Sequence, residues 1–393
     1  MNHTDPLLLE LFVMFAGGKL LAEVFERLRQ PAVVGELLAG VLLGPSLLGL
    51  VHPNDLTRGV AEMGAIFLLF AIGLETKPRD LQEVGWTAML VAFLGVLLPF
   101  LLGFGYLKLL ASSSVEAIFI GAAMVATSVG ITARVLEDMG VLNSRVARVI
   151  LGAAVIDDVL GMIVLAVVSS LSAGKVNYVS LAVVTVEAVG FTVLVVLFGS
   201  RLVGHMEPSV ARLRARNSAF TLSILLCLGL SLASLYIGLA AIIGAFLAGL
   251  ALAERSERWK LRENAHPLSE FLAPFFFVLL GAEVNLRTFL QPGLIVMLVV
   301  ITILAILSKL LGCGLGSLRM GWKDAARVGI GMVPRGEVGL IVAAVGLRLH
   351  TISEGIYTVI VGMSILTTLF APPVLKLTLA KRTAAPVFVS PES

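Results

Sequence analysis

Charged residues are scarce in this sequence. Asp, Glu, Lys and Arg make up only 14% of its 393 residues, whereas soluble domains contain about 25%. Hydrophobic residues make up 58%, and they come in blocks long enough to cross a bilayer as helices, which takes about 20 residues. The composition therefore excludes an ordinary soluble domain and predicts an all-α polytopic membrane protein.

Cysteine and histidine are also scarce, with two and five residues respectively. Both cysteines, Cys227 and Cys313, lie in apolar runs, and the sequence has no Cys–His cluster. We therefore expect neither a disulfide framework nor a transition-metal site. The formal net charge of +3 is too small to indicate nucleic-acid binding. No cofactor and no nucleic-acid partner are expected.

The apolar blocks predict about thirteen transmembrane helices. Their predicted ranges are 7–27, 31–51, 59–75, 85–109, 115–139, 145–170, 177–203, 217–235, 237–254, 267–286, 294–318, 324–349 and 355–380. Of the 29 Lys and Arg residues, twenty lie in or beside one set of alternate loops and five in the other set. Because cytoplasmic loops are enriched in Lys and Arg, this asymmetry predicts an external N-terminus and a cytoplasmic C-terminus.

Two adjacent carboxylates, Asp157 and Asp158, lie near the middle of the apolar run 146–171. An Asp at the centre of a transmembrane helix costs roughly 2.5 to 3.5 kcal/mol, and such carboxylates are usually functional. Neighbouring helix residues point about 100° apart, so one carboxylate can face water while the other meets a second helix. Lys309 is the only basic residue in the last two-thirds of span 294–318. A buried Asp–Lys pair is therefore the simplest partner assignment.

Carboxylate oxygens are ligands suited to hard cations. A proton and Na⁺ can compete for the same buried carboxylate, so that binding of Na⁺ expels the proton. If that site is exposed to the two sides of the membrane in turn, the result is exchange without a channel. Because three ionisable groups are present, more charge can move as protons than as Na⁺, which predicts electrogenic transport.

The sequence also contains an internal repeat. Residues 35–40 read Gly-Glu-Leu-Leu-Ala-Gly, and residues 244–249 read Gly-Ala-Phe-Leu-Ala-Gly. A second pattern, Phe-x5-Gly-x-Glu, occurs at 67–75 and again at 275–283. The two copies begin in the second and the ninth predicted spans, which are an odd number of spans apart, so they cross the membrane in opposite directions. Inverted repeats of this kind are typical of secondary transporters.

Two stretches at corresponding positions of the repeat contain glycine and polar residues, and the second also contains a proline; we expect both to interrupt their helices. They are residues 126–134 and 329–339. Arg134, Arg335 and Glu337 lie at or near these interruptions, and we expect them to neutralise the ends of half-helices. Three further acidic residues near span ends are expected to be structural: Glu36, Glu62 and Glu75.

Seven short motifs are spread along the chain: Gln-Pro-Ala-Val-Val-Gly-Glu at 30–36, Ala-Gly at 39–40, Leu-Gly-Pro-Ser at 43–46, Phe-Leu-Leu-Phe-x-x-Gly-Leu-Glu at 67–75, Ala-Thr-Ser-Val-Gly-Ile-Thr-Ala-Arg-Val-Leu at 126–136, Ile-Asp-Asp-Val at 156–159 and Pro-Arg-Gly-Glu at 334–337. Together they resemble the monovalent cation:proton antiporters, most closely the bacterial electrogenic Na⁺/H⁺ antiporters of the NapA type in the second cation:proton antiporter group. The resemblance covers the chain up to about residue 380.

The resemblance implies two broken helices that cross beside the Asp pair. Matched by position, Asp158 looks like the Na⁺ ligand, Asp157 looks like its neighbour that pairs with a lysine, and Lys309 matches that lysine. Both aspartates are therefore expected at the Na⁺ site. Supporting polar residues of the core are expected at Thr127, Ser128, Thr132, Arg134, Arg335 and Glu337.

The resemblance also implies a homodimer in the lipid bilayer of a bacterial inner membrane, in which a dimer domain faces a mobile core domain. On this basis we expect a dimer or scaffold domain formed by 1–84 and 207–290, a core ion-translocation domain formed by 85–171 and 291–380, a linker helix at 172–206 and a cytoplasmic tail at 381–393.

We therefore predict a secondary active transporter, not an enzyme, that exchanges Na⁺ or Li⁺ for H⁺ by alternating access. K⁺/H⁺ exchange and, more remotely, Na⁺-coupled organic-anion symport are alternatives on the same fold. An intramembrane aspartyl protease would need two carboxylates that face each other from separate helices, which adjacent residues on one helix cannot do. A membrane sensor that does not transport would not require an inverted repeat.

Overall fold

The computed structural model describes residues 6–28, 30–76, 78–110, 113–172, 178–210, 217–283, 292–335 and 351–380, with isolated positions between 339 and 347. Within these residues all regular structure is helical. The α-helices are α1 Pro6–Arg27, α2 Ala32–Leu43, α3 Asp55–Glu75, α4 Pro78–Leu109, α5 Ser114–Ala123, α6 Val129–Asp138, α7 Arg145–Ser172, α8 Tyr178–Val210, α9 Ser218–Ile237, α10 Ala241–Leu252, α11 Leu261–Ala282, α12 Pro292–Gly316, α13 Trp322–Gly331 and α14 Glu354–Ala380.

The fold class predicted from hydropathy, an all-α polytopic membrane protein, is confirmed. Every predicted span has a helix at its place in the described chain, and two spans contain a break. Seven of the described helices are long and apolar enough to cross a membrane by themselves, and α2 and α5 are shorter apolar helices. The number of thirteen crossings remains a prediction.

Local sequence signals explain where several of these helices begin. The Asn54 side chain accepts hydrogen bonds from the backbone N–H groups of Leu56 and Thr57, and the Thr57 hydroxyl accepts one from the Asn54 N–H. Ser113 and Glu116 form the same reciprocal arrangement at the start of α5. These capping boxes satisfy backbone donors that the first helical turn leaves without partners.

The glycines of the internal repeat lie where helices touch at backbone distance. A Cβ atom at Gly40 would overlap a carbonyl oxygen of α11, and one at Gly281 would overlap a carbonyl oxygen of α2. In the same way, a Cβ atom at Gly73 would overlap α10, and one at Gly249 would overlap α3. Helix α2 therefore packs on α11 as α10 packs on α3, which is the reciprocal pattern expected of two copies related by a two-fold axis.

The helices form two packed groups. The first consists of α1, α2, α3, α9, α10 and α11, and the second consists of α4 to α7 together with α12, α13 and α14. Helix α8 packs against α10 of the first group and α7 of the second. Contacts between the two groups include those of α6 with α2 and α3 and those of α14 with α2.

The two interrupted helices cross at their breaks. Residues 124–128 separate α5 from α6, and the chain leaves helical geometry again after α13 ends at Gly331. The Ser128 N–H donates to the Pro334 carbonyl oxygen at 2.8 Å, which joins the two unwound segments. An interruption was predicted at 126–134, but only its first three residues are unwound, because helical hydrogen bonds resume at Val129. Within a membrane those bonds are the nearest partners for backbone groups.

We predict that Gly281→Ala destabilises the protein. The added methyl group would collide with backbone of α2 rather than with a side chain that can move, and overpacking of this kind costs about 1–3 kcal/mol or more. The measurement is the thermal unfolding midpoint in detergent. Gly229→Ala is the matched control, because a Cβ atom at that position of α9 meets nothing within 4 Å. Equal midpoints for the two variants would contradict the close-packing interpretation.

Candidate functional site

The central feature of the site is an ion pair inside the second helix group. The Lys309 ammonium on α12 donates to the Asp157 carboxylate on α7, with an Nζ–Oδ1 distance of 3.0 Å. The two side chains are 0% and 2% exposed. Because both groups are removed from water, loss of either partner would leave a buried charge without compensation, which is strongly destabilising.

A glycine makes room for this lysine. A Cβ atom at Gly95 on α4 would lie 3.4 Å from the Lys309 Nζ atom and 2.6 Å from the Cys313 Sγ atom. Helix α4 can therefore approach α12 beside the ion pair only because residue 95 has no side chain. Gly95 is one of 39 glycines and lies in no motif that would distinguish it, so its role could not be predicted from the sequence.

Asp158 follows Asp157 on α7 but has different surroundings. Asp157 is buried, whereas Asp158 is half-buried. This difference follows from the angle of about 100° between neighbouring residues of a helix. The structure therefore separates the two carboxylates as the sequence predicted, with one in an ion pair and the other in a more open position.

The crossing beside this pair is held by polar contacts. The Thr132 hydroxyl on α6 donates to the Gly331 carbonyl oxygen at the end of α13, at 2.6 Å. Together with the bond from Ser128 to Pro334, this contact links each broken helix to the other. Backbone groups that helix breaks would leave without partners are thereby satisfied inside the protein, as the interior of a membrane requires.

Arg335 lies at the centre of the crossing and is fully buried. Its Nη1 atom donates to the carbonyl oxygens of Ala126 and Met332, and its Nη2 atom donates to that of Ala305 on α12. The guanidinium thus meets carbonyl groups from both breaks, where a positive charge complements the negative ends of α5 and α13. A cavity of about 30 Å³ adjoins Arg335 between α2, α11 and α14, which leaves room for water beside the crossing.

The structure brings some of the predicted residues to the crossing and not others. Thr127 lies in the first unwound segment, and its hydroxyl oxygen is buried without a hydrogen-bond partner among the described residues. Arg134, expected to neutralise a half-helix end, instead pairs with Glu137 and Asp138 on its own helix. It lies more than one turn past the break, because the helix resumes at Val129. Glu337 lies outside the described residues.

The donor set determines what the site can bind. Two carboxylates, a threonine hydroxyl and unwound backbone carbonyl groups are oxygen ligands that suit hard monovalent cations. Among the described residues, no group of three or more His, Cys, Asp and Glu side chains could hold a metal ion. A cation bound beside Asp158 would therefore need backbone oxygens or water to complete its coordination.

Comparison with known proteins gives consistent relatives. Residues 12–381 match the family described as transmembrane sodium/hydrogen exchangers. The high-affinity Na⁺/H⁺ antiporter NhaS3 of Synechocystis is 37% identical, over 96% of this chain and 91% of its own length. The Na⁺/H⁺ antiporter of Enterococcus hirae is 34% identical, over 90% and 93%. The Na⁺/H⁺-K⁺ antiporter GerN of Bacillus cereus is 33% identical, over 96% and 97%.

The fold also has a solved counterpart. The structure of the sodium proton antiporter MjNhaP1 from Methanocaldococcus jannaschii matches with a TM-score of 0.66 and 20% identity, over 96% of this chain and 97% of that one. At this identity the likeness concerns the fold alone, and it agrees with the all-helical architecture described above. The family match covers nearly the whole chain, so this protein belongs to the transmembrane sodium/hydrogen exchanger family.

Proposed function

We propose that this protein exchanges Na⁺ or Li⁺ for H⁺ across a membrane, by alternating access to the site at Asp158. The observation that supports this function most directly is the buried Asp157–Lys309 pair, placed beside two crossing helix breaks and next to a second, half-buried carboxylate. The 33–37% identity to named Na⁺/H⁺ antiporters over most of the chain supports the same chemistry.

The exchange step is a competition at one carboxylate. A protonated Asp158 that takes up Na⁺ releases its proton to water on the side that is open, and the carboxylate then holds the cation. On the opposite side the reaction runs in reverse, so that the site never crosses the membrane as an isolated charge. Binding at Asp158 also changes the electrostatic field at Asp157, one residue away, and can thereby strengthen or weaken its contact with Lys309.

The same residues support electrogenic transport. Asp157, Asp158 and Lys309 provide three ionisable groups for one monovalent cation, so more protons than cations can move in a cycle. Each net charge that crosses 100 mV is worth roughly 2.3 kcal/mol. A membrane potential could therefore drive extrusion of the cation against its gradient.

We further propose that the two helix groups move relative to each other during transport. The scaffold, 1–84 and 207–290, would hold the protein in a homodimer, while the core, 85–171 and 291–380, moves against it with the ion site. The helix at 172–206 would link the two. The distribution of Lys and Arg and the bacterial relatives support a bacterial inner-membrane protein with the N-terminus outside and the C-terminus in the cytoplasm. The transported ions are substrates, and the proposal includes neither a cofactor nor an enzymatic reaction.

K⁺ is the second candidate cation. GerN, named as a Na⁺/H⁺-K⁺ antiporter, is 33% identical over 96% of this chain. Carboxylate and carbonyl oxygens bind both Na⁺ and K⁺, and the choice between them depends on the size and rigidity of the site. An assay that compares Na⁺, Li⁺ and K⁺ distinguishes these possibilities.

We predict that Asp158→Asn abolishes exchange, because an amide can neither release a proton nor neutralise a bound cation. The measurement is the dissipation of a preset pH gradient by Na⁺, Li⁺ or K⁺ in proteoliposomes. Asp324→Asn, which removes a carboxylate paired with Arg327 on α13, is the matched control and should retain exchange. Undiminished exchange by Asp158→Asn would remove this residue from the mechanism.

We predict that Lys309→Ala affects stability and voltage dependence more than cation recognition. It leaves the Asp157 carboxylate buried without a partner, which costs about 3–5 kcal/mol. The double variant Asp157→Asn/Lys309→Ala should recover much of this loss, because it buries no isolated charge. Thermal unfolding midpoints test the stability, and exchange rates at imposed potentials test the voltage dependence. A Lys309→Ala protein with unchanged stability and unchanged voltage dependence would contradict the assignment.

A further inference from the structure

A second cluster of charged residues lies at the end of α6, away from the ion site. The Arg134 guanidinium is within 3.3 Å of the Glu137 carboxylate and within 3.1 Å of the Asp138 carboxylate. The side chains of Arg134 and Glu137 are only 10% and 8% exposed. Sequestered charges of this kind are costly unless they are compensated, and the proposed exchange chemistry does not use them.

The cluster extends into the other helix group. Glu36 lies on α2, which packs against α6; its side chain is buried, at 2% exposure, and its Oε2 atom has no hydrogen-bond partner among the described residues. On α11, the His266 ring lies 3.9 Å from the Glu137 carboxylate and 3.7 Å from that of Glu270. Helix α6 thus contacts α11 through Glu137 and His266 and packs against α2, which carries the buried Glu36, across the boundary between the two groups.

The equivalent place in the other copy of the repeat is open. Gly73 and Gly281 correspond in the repeat, so Glu62 in the first half of α3 corresponds to Glu270 in the first half of α11. Around Glu62, between α3, α10 and α11, there is a cavity of about 430 Å³ whose lining also includes Arg58 and Glu283.

The sequence of the repeat has a matching asymmetry. Position 36 is glutamate in the first copy, and the corresponding position 245 in the second copy is alanine. The buried carboxylate on the helix that packs against α6 therefore exists in one copy only. The structure has a charged contact on one face and a cavity at the equivalent place on the opposite face.

We propose that the packing of α6, whose end carries Arg134 and Glu137, against α2 and α11, which carry Glu36 and His266, is the gate that closes the face at which α6 ends, and that this conformer is open on the opposite face. The inference rests on the proposed exchange function, in which each face must open in turn. By the distribution of Lys and Arg, the closed face is the cytoplasmic one. Glu36 and His266 act as positioning residues, because they set which face is open without touching the cation.

Two equivalent positions provide reporters for the two faces. Ser269 lies one turn from His266 on α11 and is 1% exposed, and Ala61, its counterpart on α3, lines the cavity. We would introduce Ser269→Cys or Ala61→Cys singly and measure labelling by a membrane-impermeant thiol reagent from either side of oriented vesicles. The two native cysteines are both 0% exposed, so the parent protein defines the background.

Glu36→Gln, which removes the charge and keeps the shape, should shift the population towards the opposite conformer. We expect labelling of Ser269→Cys from the closed face to accelerate by about tenfold, the change that ~1.4 kcal/mol produces. Labelling of Ala61→Cys from the other face should become slower. Glu36→Asp, which retains the charge, should restore rates close to those of the parent. A general loosening of the protein would instead raise both rates.

Arg327→Gln is the matched control, because it breaks an ion pair with Asp324 and bonds to the Thr378 carbonyl oxygen that lie entirely within the second helix group. Unchanged labelling at both reporters in Glu36→Gln, or equal changes in Arg327→Gln, would overturn the gate. The exchange activity of the parent protein is measured in parallel. Its absence would overturn the proposed function, whereas the labelling experiment alone tests the gate.

Discussion

The buried pair of Asp157 and Lys309 is the interaction on which the site depends. An isolated carboxylate or ammonium at that depth would destabilise the fold, whereas the two at 3.0 Å neutralise each other. The pair joins α7 to α12, and therefore one copy of the repeat to the other. Helix α4 also comes close to Lys309, at Gly95, where a side chain would collide. The ion pair thus joins α7 to α12, and α4 packs beside it.

The crossing of the broken helices provides partners for buried backbone polar groups, as the ion pair does for buried charges. Helix breaks expose carbonyl and N–H groups, and hydrocarbon offers them no partner. Ser128, Thr132 and Arg335 supply partners from within the protein, and the three Arg335 contacts draw together both breaks and α12. In the proposed exchange, carbonyl groups of the unwound segments serve as cation ligands near the carboxylates.

The features that could be predicted from the sequence are those determined by one large free-energy penalty, such as a charge buried in the membrane or a side chain at a close helix contact. Two aspartates and one lysine at membrane depth need partners, and a buried Asp–Lys pair follows from that need, whereas the choice of Asp157 came from the resemblance to the antiporters. Glycine spacing likewise revealed the repeat, because close backbone contact excludes any side chain. The restart of the helix at Val129, the surroundings of Arg134 and the role of Gly95 depend on which helices become neighbours. Local sequence does not contain that information. For the same reason, the sequence alone led us to expect only a structural role for Glu36.

The symmetry of the repeat and its departures from symmetry have different consequences. Reciprocal glycine contacts between α2 and α11 and between α3 and α10 make the two halves of the scaffold alike, so a core that packs against one half can also pack against the other. Two alternative packings of similar energy are what a transporter with one site needs. If the halves were identical, neither face would be favoured. In the proposed gate, a carboxylate at position 36 and an alanine at position 245 make the two packings unequal, and so bias which face is closed when no ion is bound.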